Sequence, residues 1–370
     1  VEILPEIIDR DNNLVNINID IREIKHSSIE ADFGFTQLST WQDPIMTPGF
    51  DMGSKWVIGN IMNSPSKIIL TGRYATEVDL QSILNNDNLK HFDSRLTYMT
   101  PWTINFPLPT EIRLFYAIDN DIRENLHRYG LSHLIYLEKN IRRRYELRTT
   151  FQFIDSENVY SDKDAEPVRS VELNYTNNQI ENIISPKNGY YLRLSTSIFG
   201  TLLGGERDFF QMNNEYRKYF PINLRSIVAF RYKMGYILNL NENQDLPLYY
   251  KYELGGQSSL RGWLNTEDYN KTGGKLIYDL VNLEYRVNII KKWRVNFFID
   301  IGRLYNDASD FTKIYFNWDY GIGLIYDTTI GPIRIEYAKP YVKSNYDHEK
   351  IKDSVSSTSG VIHVSLLYMF

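Results

Sequence analysis

The residues best placed for a specific task lie in the stretch Glu253-Leu254-Gly255-Gly256-Gln257-Ser258-Ser259-Leu260-Arg261-Gly262-Trp263. Arg261 stands between an aliphatic residue and a glycine, so it is not part of a solvated run of charge. A guanidinium held away from water without a partner is costly, and this setting points to a specific acidic partner. Gly255 and Gly256 permit unusual dihedrals and close backbone approach. They lie in a loop with no helix after it, which argues against a phosphate cradle. Covalent chemistry is poorly represented elsewhere. There is no cysteine, which removes disulfides, thiolate catalysis and cysteine-rich zinc sites together. His26, His91, His127, His133, His348 and His363 are scattered without metal-ligand spacing. Neither a Gly-x-Ser-x-Gly elbow nor a His-Glu-x-x-His pair occurs. The reading is of a protein that is not an enzyme and uses no metal or cofactor.

Composition bounds the alternatives. The chain has 370 residues, with 46 acidic against 41 basic side chains and a net charge of -5. That balance argues against a nucleic-acid partner held by bulk positive charge. No run of about 18 uninterrupted apolar residues occurs, which excludes a helical membrane span. Aromatics are 14%, with 28 Tyr, 18 Phe and 6 Trp. Tyrosine has an apolar body and a polar tip, so it suits surfaces that meet lipid and water together. A transmembrane β-barrel hides from hydropathy scans because lipid-facing and lumen-facing side chains alternate along each strand. A secreted all-β binding protein would share the tyrosine content. At roughly 150 residues per domain the length suggests two or three soluble domains, a rule that barrels break. The chain opens on Val1 with no charged start and apolar stretch, so it reads as a mature protein or a fragment.

The elements that must carry these residues show a period of two almost throughout. Ile362, Val364, Leu366, Tyr368 and Phe370 alternate with His363 and Ser365. Ile333, Ile335 and Tyr337 alternate with Arg334, Glu336 and Ala338. Val295, Phe297, Ile299 and Ile301 alternate with Asn296, Asp300 and Gly302, with Phe298 breaking the polar face. Val281, Leu283, Tyr285 and Val287 alternate with Asn282, Glu284, Arg286 and Asn288, and Ile29, Ala31, Phe33 and Phe35 with Glu30, Asp32, Gly34 and Thr36. A soluble sandwich would turn the polar face outward and a barrel would turn it inward; alternation alone does not choose. The count of strands helps. They are expected at 28–37, 53–62, 67–79, 91–100, 111–119, 131–140, 145–155, 167–176, 189–199, 208–219, 223–237, 276–288, 293–303, 317–327, 331–338 and 360–370. Sixteen is an even number, and about 10 residues is what a tilted strand needs to cross a bilayer. Tight turns at Asn63–Ser66, Asn140–Arg144, Pro221–Asn223 and Thr328–Ile330 alternate with long polar loops at 155–166, 238–275 and 342–360. The basic run Arg142-Arg143-Arg144 falls in one of the tight turns, where it is solvated or touches lipid headgroups or a partner. Residues 1–26 stand apart. Val15, Ile17, Ile19 and Ile21 form one strand, either the end of a small periplasmic domain or a leader with no partner.

Several pieces, in this order, resemble the outer-membrane surface-antigen or BamA-like family, which includes BamA, TamA and the two-partner-secretion transporters. Gly255-Gly256 with Ser259-Leu260-Arg261-Gly262-Trp263 resembles the family's loop-six motif of aliphatic-Arg-Gly-aromatic; tryptophan in the last place is a mild departure. Ser185-Pro186-Lys187-Asn188-Gly189 resembles the entry to the ninth strand, and Glu215-Tyr216-Arg217-Lys218-Tyr219-Phe220-Pro221 the hairpin after it. Asn282-Leu283-Glu284-Tyr285-Arg286, Phe297 to Gly302, Gly321-Ile322-Gly323-Leu324 and Gly331 to Pro340 resemble strands twelve to fifteen, and Phe370 fits the aromatic terminus. Together they cover about two hundred residues.

The resemblance implies an all-β fold, a 16-stranded antiparallel transmembrane barrel over residues 27–370, preceded in residues 1–26 by the remnant of a periplasmic POTRA-like domain or a leader. It implies that loop six folds into the lumen and that Arg261 pairs with inner-wall carboxylates; alternation independently places Glu284 and Asp300 on inward faces of adjacent strands. Localisation in the bacterial outer membrane follows, with the lipid bilayer and lipopolysaccharide, unfolded β-barrel clients and periplasmic or lipoprotein accessory subunits as partners. The expected function is assembly or translocation of β-proteins through a weak seam between first and last strands, formed by Ile29, Phe33 and Gly34 on one side and Leu366, Tyr368 and Phe370 on the other. Some insertases carry a glycine inside the last strand; here none lies between Val361 and Phe370, which weakens the support for a soft seam. A secretion pore plugged by loop six is one alternative. A membrane anchor or adhesin without translocase activity is another, and its depletion would leave the outer-membrane proteome unchanged.

Overall fold

The computed structural model describes residues 2–9, 14–20, 26–38, 47–77, 89–103, 106–120, 124–158, 161–162, 165–182, 185–241, 243–263, 274–309, 316–328, 331–341 and 360–366. Sixteen long strands follow one another in the chain. They are β1 (Ser27–Leu38), β2 (Thr47–Gly59), β3 (Lys67–Glu77), β4 (Leu89–Thr100), β5 (Thr110–Asn120), β6 (Glu124–Asn140), β7 (Arg143–Asn158) and β8 (Glu166–Asn178), then β9 (Gly189–Phe199), β10 (Phe209–Asn223), β11 (Ser226–Asn239), β12 (Ile277–Ile290), β13 (Trp293–Tyr305), β14 (Asn317–Thr328), β15 (Gly331–Tyr341) and β16 (Val361–Leu366). Each pairs antiparallel with the next, and the strand order returns β16 to the side of β1. Among the described residues no register pair joins those two.

Alternation explains which way the barrel is turned. Leu114, Phe151, Leu173 and Phe297 point outward and are about half exposed, whereas Asn282, Glu284, Asn296 and Asp300 point inward and are fully buried. Apolar out and polar in inverts the soluble pattern and requires lipid around the wall. Strand-to-strand ladders satisfy the backbone N–H and C=O groups that lipid cannot. Near the short-turn end, rings pair across neighbouring strands. Tyr145 meets Tyr175 at 4.9 Å between centroids, Tyr190 meets Tyr216 at 6.4 Å and Trp293 meets Tyr326 at 4.7 Å. Such a girdle marks the level where hydrocarbon gives way to headgroups.

The expected elements need five corrections. β6 begins at Glu124 rather than near 131, because ladder pairing with β7 continues past His127 and Arg128 to Glu124 opposite Asn158. Backbone pairing persists beyond the apolar band, so polarity alone ends a strand too soon. β2 covers 47–59 rather than 53–62; Asn60, in a left-handed conformation, and a short 3-10 turn at Ile61–Asn63 stop it. The expected turn at Pro221–Asn223 belongs to β10, and the reversal falls at 224–225. The ladder is irregular between Pro221 and Asn223, a place where a strand tolerates proline. Arg143 and Arg144 likewise open β7, leaving Ile141 and Arg142 in the turn. The N-terminal strand is not unpartnered: Leu14–Asp20 forms a hairpin with Glu2–Asp9. The expected last-strand residues 367–370 and the turn residues 329–330 lie outside the described residues.

Candidate functional site

Loop six leaves β11 at Asn239 and returns at Ile277. Its neck is closed by Tyr252 and Lys275, whose backbones exchange hydrogen bonds of 2.7 and 3.0 Å. From there residues 253–263 turn inward. Gly255 and Gly256 take φ values of 137° and 77°. The Gly256 amide donates to the Trp263 carbonyl at 2.7 Å, and the Ser259 hydroxyl closes on both backbone groups of Gly255. Leu254, Leu260 and Trp263 pack as one buried cluster with Leu280 and Leu304 of the wall. The Ser258 carbonyl accepts from Arg231 and the Ser259 carbonyl from Asn282, so the tip is held by β11 and β12.

Arg261 is thereby delivered, fully buried, to a set of wall residues. Its Nε and one terminal nitrogen donate to the two oxygens of Asp300 at 2.7 and 2.8 Å, a bidentate charge-assisted pair. The other terminal nitrogen donates to Glu284 at 2.6 Å and to Glu336 at 3.1 Å. The guanidinium carbon lies 3.5 Å from the centre of the Phe298 ring, a cation–π stack. The Arg261 carbonyl accepts from His363 Nε2 of β16 at 2.7 Å. Burial alone would favour losing the proton, but Asp300, Glu284 and Glu336 hold the Arg261 pKa well above the ordinary arginine value. Second contacts fix the carboxylates. Arg286 donates to Glu284 at 2.7 Å, Arg334 to Glu284 and Glu336, and Asn296 to Glu336 at 2.6 Å.

Two glycines make this packing possible. A Cβ on Gly262 would lie 2.6 Å from the Asp319 Cβ and 2.8 Å from the Pro340 nitrogen, so no side chain fits between the loop and the wall. Gly321 is cross-strand to Phe298, and a Cβ there would fall 2.1 Å from the ring. The missing side chain is the space in which the platform for Arg261 lies.

The structure therefore brings Arg261, Glu284 and Asp300 together, with Leu260, Gly262 and Trp263 against them. It does not gather the expected seam residues in the same way. Ile29 and Phe33 are exposed, 76% and 80%. Gly34 sits in β1 opposite Asp51, and Leu366 pairs in register with Ile333 of β15 rather than with any described residue of β1. Tyr368 and Phe370 lie outside the described residues. Sequence reasoning missed Glu336, Arg334, Arg286 and His363 as neighbours of Arg261, although all four sit on polar faces of alternating strands. It missed the role of Phe298, whose signal was the break it makes in the polar face of β13.

Comparison with known proteins fits this arrangement. The Omp85 superfamily domain matches residues 80–359. Similar solved structures include BamA from Haemophilus ducreyi lacking POTRA domains 1-3, with a TM-score of 0.71 and 18% identity over 93% of this chain and 72% of that one. CdiB from Acinetobacter baumannii gives a TM-score of 0.50 at 10% identity over 93% of this chain and 62% of that one. CdiB from Escherichia coli gives 0.52 at 12% over 93% of this chain and 64% of that one. The chain thus spans less than two thirds of either CdiB chain. No curated protein sequence matches it.

Proposed function

The chain belongs to the Omp85 superfamily, outer-membrane β-barrel proteins that are transporters and insertion factors rather than enzymes, and from that premise we propose that it is a BamA-like assembly factor. It would fold β-barrel clients into the outer membrane through the junction of β1 and β16. The observation that carries this reading is the exposure of β1. Every described side chain from His26 to Phe33 is exposed, on the inward face as well as the outward one, whereas inward residues such as Glu284, Asp300, Asp319 and Glu336 of β12 to β15 are buried. A strand uncovered on both faces is a natural template for an incoming strand. No chemical catalysis is needed, since the client's own folding supplies the energy. Loop six, pinned through Arg261, would keep the wall beside the junction in shape. Residues 1–26, with their hairpin, fit the end of a periplasmic POTRA-like domain. Loop six inside the lumen, together with the likeness to the CdiB structures, favours a second reading, passage of a secreted chain through a plugged pore.

The test uses the absence of native cysteine. Cysteine pairs placed between positions 29–33 and 361–366, such as Phe33→Cys with Val364→Cys, are oxidised in the folded protein in vesicles, and insertion of a β-barrel client is followed. Insertion should stop on oxidation and return on reduction. Full insertion with the bond formed would remove the lateral route and favour the lumen.

A further inference from the structure

The short turns at one end of the barrel carry a pattern that the lumen cluster does not explain. Ile141 and Leu224, in two tight turns, are fully exposed at 99% and 102%, and Ile289 and Ile290 lead into a third. A tight turn in water is normally built from Gly, Asn, Asp or Ser. Here each bare aliphatic stands beside exposed cations: Arg142, Arg225, and the pair Lys291 and Lys292. Just inside the tips lie the ring pairs of the aromatic girdle. Lys218 points outward among them, 5.7 Å from the Tyr190 ring centre and 5.5 Å from that of Phe220. Moving outward from the apolar band, the surface thus runs from rings to turns in which aliphatic and cation stand side by side. The described loops at the opposite end expose Glu206, Asp245 and Asp307, together with Leu202.

We propose that the β6–β7, β10–β11 and β12–β13 turns form a docking rim for a leaflet of anionic phospholipid. The cations meet headgroup phosphates, and the aliphatic tips sit among the upper acyl chains. Three observations favour lipid over a soluble protein. The apolar outward face resumes beyond Lys218 through exposed Phe220 and Ile222 to Leu224, and Ile290 pairs with Trp293 across the β12–β13 turn. The three turns are spread over about six strand spacings, roughly 29 Å, as separate points along an edge rather than a pocket. Clustered lysine and arginine at the edge of an apolar surface is the charge pattern that anionic headgroups attract. The β2–β3 connection beside β1, Asn60–Ser66, holds no cation. The rim therefore belongs to the wall away from the β1–β16 junction and would hold that wall in the leaflet while the junction stays unanchored.

The experiment labels Leu224→Cys, unique in a cysteine-free chain, with an environment-sensitive fluorophore in the folded full chain. The protein is reconstituted in vesicles of phosphatidylcholine and of phosphatidylcholine with phosphatidylglycerol. Aqueous iodide and a lipid bearing a shallow nitroxide serve as quenchers. The expected result is loss of iodide quenching and gain of nitroxide quenching when phosphatidylglycerol is present. The charge-reversed protein, Arg225→Glu with Lys291→Glu and Lys292→Glu, should lose that dependence while its unboiled form still migrates as a folded barrel. Iodide quenching that is strong in both vesicles overturns the proposal and leaves the rim for a soluble protein partner. Protection that is equal in both and untouched by charge reversal overturns the choice of an anionic headgroup. No client is used, so the outcome is independent of the seam.

Discussion

Three arginines and four carboxylates share the most buried part of the lumen: Arg261, Arg286 and Arg334 with Glu284, Asp300, Glu336 and Asp319. Asp319 is the extra acid. It sits cross-strand to Asp300, which already takes both prongs of Arg261. Replacing Asp319 with Asn removes an acid from beside Asp300 while keeping its shape, so it should leave stability unchanged or raise it. Arg261→Ala should instead cost about 3–5 kcal/mol, because several carboxylates are left buried beside an empty place. Lysine should rescue only in part, since it lacks the planar fork that spans Asp300 and Glu284. Asp300→Asn should resemble Arg261→Ala, and the double variant should fall short of the sum. Denaturant unfolding in lipid vesicles measures all of these, and an Asp319→Asn as damaging as Asp300→Asn would contradict the charge count. Arg261 was legible from its aliphatic and glycine neighbours, and Glu284 and Asp300 from alternation. Glu336 stood in an equally regular alternation, but nothing in a one-dimensional pattern says that β15 brings it to an arginine 75 residues earlier.

At the level of strands, β13 and β14 are complementary in relief. Phe298 fills what Gly321 lacks, and Asn296 what Gly323 lacks. Gly321→Ala would set a methyl 2.1 Å from the Phe298 ring and 2.3 Å from the Tyr337 carbonyl. Overpacking of this kind costs about 1–3 kcal/mol, and the ring it moves is the one under Arg261. Gly321→Ala should therefore destabilise the barrel and loosen loop six together. Raised proteolysis of loop six in the folded variant would show the coupling, and unchanged proteolysis would break it. Sequence patterning found all sixteen strands, because lipid on one side and a polar lumen on the other impose a strict period of two. It placed the ends of β2, β6 and β10 poorly, because ladder hydrogen bonds outlast the apolar band at Glu124 and pass through Pro221.

For the whole molecule, the ladders that run from β1 round to β16 satisfy most of the backbone within the wall, so unfolding it in lipid means exposing many polar groups at once. Unboiled protein should migrate apart from boiled protein on a denaturing gel and give a β-type circular-dichroism spectrum; migration as unfolded chain would refute the architecture. The bond from His363 to the carbonyl of Arg261 also says something about time. The groups that Arg261 engages lie 23, 39, 75 and 102 residues further along the chain. A growing or newly exported polypeptide presents the arginine long before it presents them. The full set of contacts, with the bond from His363, can form only after the C-terminal strand has arrived and taken its place. A product cut short before β16 would carry every charged group of the lumen cluster and still lack the hydrogen bond that ties the motif to the last strand.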